Sequence, residues 1–267
     1  MEIDEAVPLT EHLGELRSRL FKIVLAWSLG FAVAWGFKEQ IFGYLLAPAI
    51  DALGPDGGKL QAIAPGEIFF TYVKCALLAG FILSLPVTFW QVWSFVAPGL
   101  YANEKRVIIP FVASSTLLFA GGSIFGYAAV FPLMFGFLTS YDSEFVVSAW
   151  TMSSVFSITS QMFLVFGVAF ELPLFVFFLA VGGIVDAKRL LAFTPYAVLG
   201  AFVVGAVLTP PDPVSQVLLA VPLIGLYLIG VGAAWLVTMR AKKQEATSAV
   251  ATVPAAGQPS EAARETE

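Results

Sequence analysis

The sequence predicts an all-α, polytopic membrane protein with six transmembrane helices. Three observations carry that expectation. Hydrophobic residues make up 58% of the 267 positions and charged residues only 12%, with a mean hydropathy of +0.86. Soluble domains carry about 25% charged residues, so this chain falls in the membrane class. The apolar residues gather into six runs that approach or exceed the roughly 20 residues a spanning helix needs. Nearly all charges lie between those runs.

The first run covers 20–37, between Lys22 and Lys38, whose long side chains snorkel outward. The second covers 68–95, starting beside Glu67 and passing Lys74. The third lies within 107–141, which holds no charge, and the fourth within 150–184, which holds Glu171. The fifth and sixth cover 193–208 and 214–238. At 1.5 Å per residue the fifth run reaches only about 24 Å, against a hydrocarbon core of roughly 30 Å. Helices five and six therefore read as short. The third and fourth read as long, and are expected to tilt, kink or protrude. Together these mismatches are expected to thin the bilayer on one side.

Six spans put both termini on one side. That side collects eleven basic residues, from Arg17, Arg19 and Lys22 through Lys105, Arg106, Lys188 and Arg189 to Arg264. The opposite side has Lys38 and Lys59 only, with Lys74 set aside. The positive-inside rule then makes both termini cytoplasmic. The chain divides into a cytoplasmic amphipathic segment, 1–22, a membrane domain, 20–240, and a polar, small-residue tail, 241–267, expected to be disordered. No cleavable signal peptide is expected, because the first apolar run follows a mostly acidic head. The outer loop 38–67 contains "EQIFGYLLAPAIDAL", which suggests a short interfacial helix broken at Pro48 and again near "GPDGG". No internal repeat is visible, which disfavours an inverted-repeat transporter.

Several functions are excluded by what is missing. One cysteine, Cys75, forbids an internal disulfide, and one histidine, His12, leaves little for metal chemistry. There is no H-E-x-x-H, G-x-S-x-G or P-loop, so no enzyme is expected. The G-x-x-x-G in "GGSIFG", 121–126, reads as helix packing.

Four constellations remain. In "LTEHLGELRSRL", 9–20, Leu9, Leu13, Leu16 and Leu20 recur at helical spacing beside Glu11, Glu15, Arg17 and Arg19, with Thr10 as a candidate cap. An interfacial anchor with solvated charges and an acidic recognition patch both fit; in the second, Glu15 accepts a bidentate guanidinium bond. In "SFVAPGLYANEKR", 94–106, Lys105 and Arg106 read as topology determinants and Glu104 as their solvated neighbour. In "LTPPDPVSQVLL", 208–219, the prolines make a tight hairpin, Asp212 and Ser215 are placed to cap the sixth helix, and Gln216 can hydrogen-bond a partner helix. The fourth is Glu171, with no other charge for 26 residues before it or 14 after. A carboxylate at mid-membrane costs roughly 3 kcal/mol on insertion scales, so such a residue faces a water-filled cavity or a partner.

The stretches "HLGELRSRL", "SLPVTFWQVWSFVAPGLYANEKR", "GVAFELP" and "GAFVVGAVLTPPDPVSQVLLAVP" resemble, in order, the TatC family, the multi-span subunits of the twin-arginine protein translocase. The resemblance covers about residues 8–240. It implies six spans in a concave, glove-like bundle in a bacterial-type plasma membrane. It implies that twin-arginine signal peptides bind the cytoplasmic face, with Glu15 and Glu104 at the matching acidic positions and Arg17 and Phe95 at other positions linked to function. Thr209 and Gln216 match the region where TatA- or TatB-type single-span helices dock. Pro48 and Asp212 match outer elements, and Glu171 matches an acidic position of the concave face. The implied activity is export of folded proteins, driven by the proton-motive force, by a complex holding further copies of the chain, with no cofactor, metal or nucleic acid. The competing reading is a proton-coupled small-molecule transporter with Glu171 as its protonation site; an intramembrane enzyme is a third.

Overall fold

The computed structural model describes residues 9–54, 59–96, 108–143, 149–208 and 213–251. Six helical segments among them are long and apolar enough to cross a membrane: Leu13–Trp35, Glu67–Phe95, Ile109–Thr139, Met152–Val181, Ala187–Val207 and Pro213–Met239.

Helix α1, Leu9–Trp35, runs from the amphipathic segment into the first span without a break. Thr10 therefore lies inside the helix and not ahead of it. At the other end the Lys38 ammonium sits over the Trp35 ring, 5.2 Å from its centroid, a cation–π contact that anchors the turn into α2.

Helix α2, Lys38–Ala52, corrects one expectation, because it passes through Pro48 instead of breaking there. Proline removes the N–H that would bond the carbonyl four residues back, which is that of Tyr44. The Tyr127 hydroxyl, from a distant segment, donates to this carbonyl at 2.6 Å. A tertiary contact thus satisfies the group that Pro48 orphans. The expected stop near "GPDGG" is met: α2 ends at Ala52, and Gly54 takes φ 79°.

Helix α3, Glu67–Val96, forms the second span. The two long spans are each interrupted. The third comprises α4, Ile108–Phe125, a π turn at Gly126–Val130, and α5, Phe131–Thr139. The fourth comprises α6, Met152–Phe170, and α7, Leu172–Val181, with Glu171 at the junction. Helix α8, Ala187–Leu208, starts before the apolar run because Lys188 and Arg189 are good helix formers. Its 21-residue span is the shortest of the six. The sixth span is longer than expected at 27 residues, and its helix α9 runs from Pro213 to Ala251. The expected disordered tail is thereby corrected over 241–251, where "AKKQEA" supplies strong helix formers.

The bundle is built from close helix pairs: α1 with α3, α4 with α6, and α7 and α8 with α9. The G-x-x-x-G reading is met at Gly122 and Gly126. A Cβ on Gly126 would lie 2.6 Å from the Phe166 ring, and one on Gly122 would collide with the Phe166 carbonyl. The main core joins α2, α3, α5, α6 and α9 through Leu46, Cys75, Phe131, Met134, Phe166 and Leu219. Two smaller clusters lie apart from it, one on α7 and α9 around Val176 and Ala234, the other around Trp93, Val112 and Phe178.

The segment ahead of α3 is stitched to the segment ahead of α6. The Gln61 amide donates to the Trp150 carbonyl at 2.9 Å, and the Met152 amide donates to Gln61 at 2.8 Å. Glu67 completes the stitch: its carboxylate accepts from the backbone amides of Ile63, Ala64 and Ser153 at 2.8, 3.3 and 2.9 Å.

Candidate functional site

The first candidate region is the basic-and-acidic turn of α1. Glu15 and Arg17 are both exposed. The Arg19 guanidinium, one helical turn on, donates through Nε to Glu15 Oε1 at 3.0 Å and through Nη1 to the Gln91 carbonyl of α3 at 3.4 Å. A second Arg19 nitrogen also bonds Oε1, so Oε2 takes no bond from the described residues. Arg19 thus ties the acidic turn to the end of α3, where half-buried Phe95 lies one turn beyond Gln91. Beside Glu15, Arg17 borders an open hollow of about 540 Å³ together with Gly14, Leu20, Phe21 and Val24. The expected second acid, Glu104, lies outside the described residues.

The second region surrounds Glu171. Pro173 lacks the N–H that would bond the Ala169 carbonyl, so α6 ends and α7 begins with Glu171 between them. The residue is half-buried. Its carboxylate faces the Ser115 hydroxyl and the Phe119 backbone of α4, and Oε1 is buried without a hydrogen-bond partner. Ser115 in turn accepts from the Trp93 indole at 2.8 Å. A buried polar group without a partner costs roughly 1–3 kcal/mol. No basic residue approaches Glu171 within ion-pair distance among the described residues.

Two apolar hollows flank α6. One, about 580 Å³, lies between α6, α8 and α9 and is bordered by Val168, Leu172, Phe193 and Tyr227. The other, about 430 Å³, lies between α1, α3 and α6. They meet at Leu164, which borders both. Glu171 belongs to the border of neither; its neighbours are on α4.

The third region is the α8–α9 hairpin. The Gln216 amide donates to the Phe202 carbonyl at 3.0 Å, inside the same chain. Gly205 allows the approach, since a Cβ there would meet Gln216 atoms at 3.2 Å. Gln216 therefore holds α8 against α9, a role its sequence position did not reveal. Ser215 is buried in the first turn of α9, past the cap position. Thr209 and Asp212 lie outside the described residues, while Pro48 lies inside α2 as described above.

Sequence reasoning missed Glu67, Ser115 and Trp93 as site-building residues. Glu67 read as a boundary charge; its amide partner Ser153 is 86 residues away. Only the serine and threonine content of 114–116, inside an otherwise apolar span, could have pointed to Ser115.

Known proteins are similar to this chain in sequence and architecture. A family described as Sec-independent protein translocase protein (TatC) matches residues 11–222. The Sec-independent protein translocase protein TatC of Desulforapulum autotrophicum is 44% identical over 228 residues, 85% of this chain and 84% of its own. That of Escherichia coli strain K12 is 41% identical over 231 residues, 86% of this chain and 89% of its own. A crystal structure of a twin-arginine translocase receptor, TatC, superposes with a TM-score of 0.77 at 35% identity, covering 85% of this chain and 99% of that one. With six spans in the same architecture and a family match running from α1 into α9, this multi-pass membrane chain belongs to the TatC family of Sec-independent protein translocase proteins.

Proposed function

We propose that the chain is the signal-recognising core subunit of a twin-arginine translocase, with both termini cytoplasmic. The observation that carries this reading is the exposed Glu15 carboxylate, held by Arg19 through one oxygen and open at the other. Paired arginines in a signal peptide need planar, negatively charged acceptors, which lysine would match less well. Glu15 supplies one, Glu104 the second, and Arg17 and Phe95 border the contact. The tie from Arg19 to Gln91 supports this, because it draws α1 and the end of α3 towards one another.

TatA- and TatB-type single-span proteins dock beside the α8–α9 hairpin, near Thr209 and Gln216, and further copies of the chain complete the complex. The proton-motive force drives export of the folded cargo. Glu171 acts after recognition, offering its unpaired oxygen to a polar group of a passing partner or signal peptide. Family membership speaks against the small-molecule transporter, whose substrate would be sealed within one chain.

The test is crosslinking of a twin-arginine signal peptide to the chain in membranes, beside export of a folded twin-arginine reporter with TatA-type partners. Wild-type chain should crosslink and export; Glu15→Ala should crosslink weakly. Equal crosslinking at low salt would remove Glu15 from the recognition surface.

A further inference from the structure

The hollow between α1, α3 and α6 contains one charge. Lys74 borders it together with Trp27, Leu77, Phe81, Ser160 and Leu164. Lys74 is exposed, and its ammonium has no hydrogen bond or ion pair among the described residues. It lies seven residues into a membrane span, about 10 Å from the Glu67 end. The nearest acid on its own helix is Glu67, and both of that carboxylate's oxygens are taken by backbone amides. A lone cation at such a depth calls for a counterion from outside the chain.

The wall beside it is rigid and apolar. The Trp27 indole is fixed by donating to the Leu77 carbonyl at 2.8 Å, and its ring meets Phe81 edge-on at 5.9 Å. The hollow holds about 430 Å³. Two turns of a helix with side chains occupy roughly 850 Å³ or more, from a diameter of 10–12 Å and a pitch of 5.4 Å. An extended hydrocarbon chain is the better fit. The combination of an unpaired cation and an apolar trough matches an amphiphile with an anionic head.

We propose that this hollow is a binding site for an anionic phospholipid of the leaflet on the Glu67 side. The headgroup phosphate pairs with Lys74; Ser160, in the same trough, donates its hydroxyl proton to the Ser157 carbonyl at 3.1 Å and marks the wall facing Lys74's helix. One acyl chain lies against Trp27, Leu77, Phe81 and Leu164. The lipid then forms part of the surface between α1 and α6, two helices joined chiefly through α3.

Native mass spectrometry of the full chain, titrated with phosphatidylglycerol and with phosphatidylcholine, tests the charge. Wild-type chain should retain one phosphatidylglycerol in preference to phosphatidylcholine. Lys74→Gln should weaken that retention about tenfold, the loss of one charge-assisted bond, and weaken phosphatidylcholine less, because its choline already offsets the phosphate charge. Equal retention of both lipids by wild type, or equal phosphatidylglycerol retention by the variant, overturns the proposal. A photoreactive residue at position 160, in vesicles of phosphatidylglycerol and phosphatidylcholine and in native membranes, tests the occupant. Lipid adducts are expected in both; adducts on a protein segment alone would assign the hollow to a partner helix instead.

Discussion

Glu67 and Glu171 are both carboxylates of the membrane domain, and the surrounding structure treats them in opposite ways. Around Glu67 both oxygens are occupied: three backbone amides from two separated segments converge on them. Around Glu171 one oxygen is buried with no partner. Elsewhere in the chain even a carbonyl orphaned by proline acquires a donor, as Tyr127 does for Tyr44. Glu171 still meets the Ser115 hydroxyl and the Phe119 backbone of α4, so the contrast lies in its one buried, unpartnered oxygen. On the proposed function, the difference separates a carboxylate that holds the chain together from one that meets a partner or signal peptide.

Crossing the two glutamates is the strongest test of that comparison. Glu171→Ala should fold, insert and still crosslink signal peptide, yet lose most export of a folded reporter. Glu171→Gln should be milder because the amide keeps the site polar. Loss of peptide binding in step with export would move Glu171 from transport to recognition. The recognition surface gives the next effect: Glu15→Ala should weaken signal-peptide affinity about tenfold, the loss of one charge-assisted bond, with a steeper loss at low salt.

Glu67→Ala should act on structure. Residues 59–66 should become cleavable by protease and thermal stability should fall, while peptide crosslinking stays unchanged. If it instead abolished export with a protected loop, the contrast between the two acids would collapse. Gln216→Leu should cost about 0.6–2 kcal/mol of helix–helix interaction, read as a modest drop in thermal stability and in co-purified TatA-type protein. The smallest effect is expected at Tyr127→Phe, which removes the donor to Tyr44 and should cost about 1 kcal/mol in thermal unfolding.

The six spans were the legible part of this molecule, because each is an apolar run bounded by charge and the bilayer forces it into a helix. The irregularities of the long spans were legible as a length mismatch, though not their places. What stayed hidden depended on partners distant in sequence. Pro48 reads as a breaker by local rules, and the Tyr127 hydroxyl, 83 residues from Tyr44, supplies the donor that Pro48 removes. Gln216 reads as reaching outwards, and Gly205 draws it to its own neighbour. The start of α8 at Ala187 lies ahead of the apolar run because Lys188 and Arg189, charged by pattern, are good helix formers. At the site, the sequence marked Glu171 by its rarity among apolar neighbours and Glu15 by its place in a charged, amphipathic turn. It could not show that Arg19 occupies one oxygen of the first, or that Ser115 and Phe119 face the second.

The π turn at Gly126–Val130 has a consequence for how this gene can change length. A π turn amounts to one residue inserted into an α-helix, and each residue advances the helix by about 100°. The insertion sets α4 and α5 on different bearings: α4 presents Gly122 to Phe166, while α5 buries Phe131, Met134 and Phe135 in the main core. A one-codon deletion between 126 and 130 would restore a regular helix and swing those three side chains away from the core. Two compensating changes, a deletion there and an insertion after 139, would keep the reading length but not the bearing. Drift in length should therefore be tolerated in the hairpins of this protein and purged from the middle of its third span.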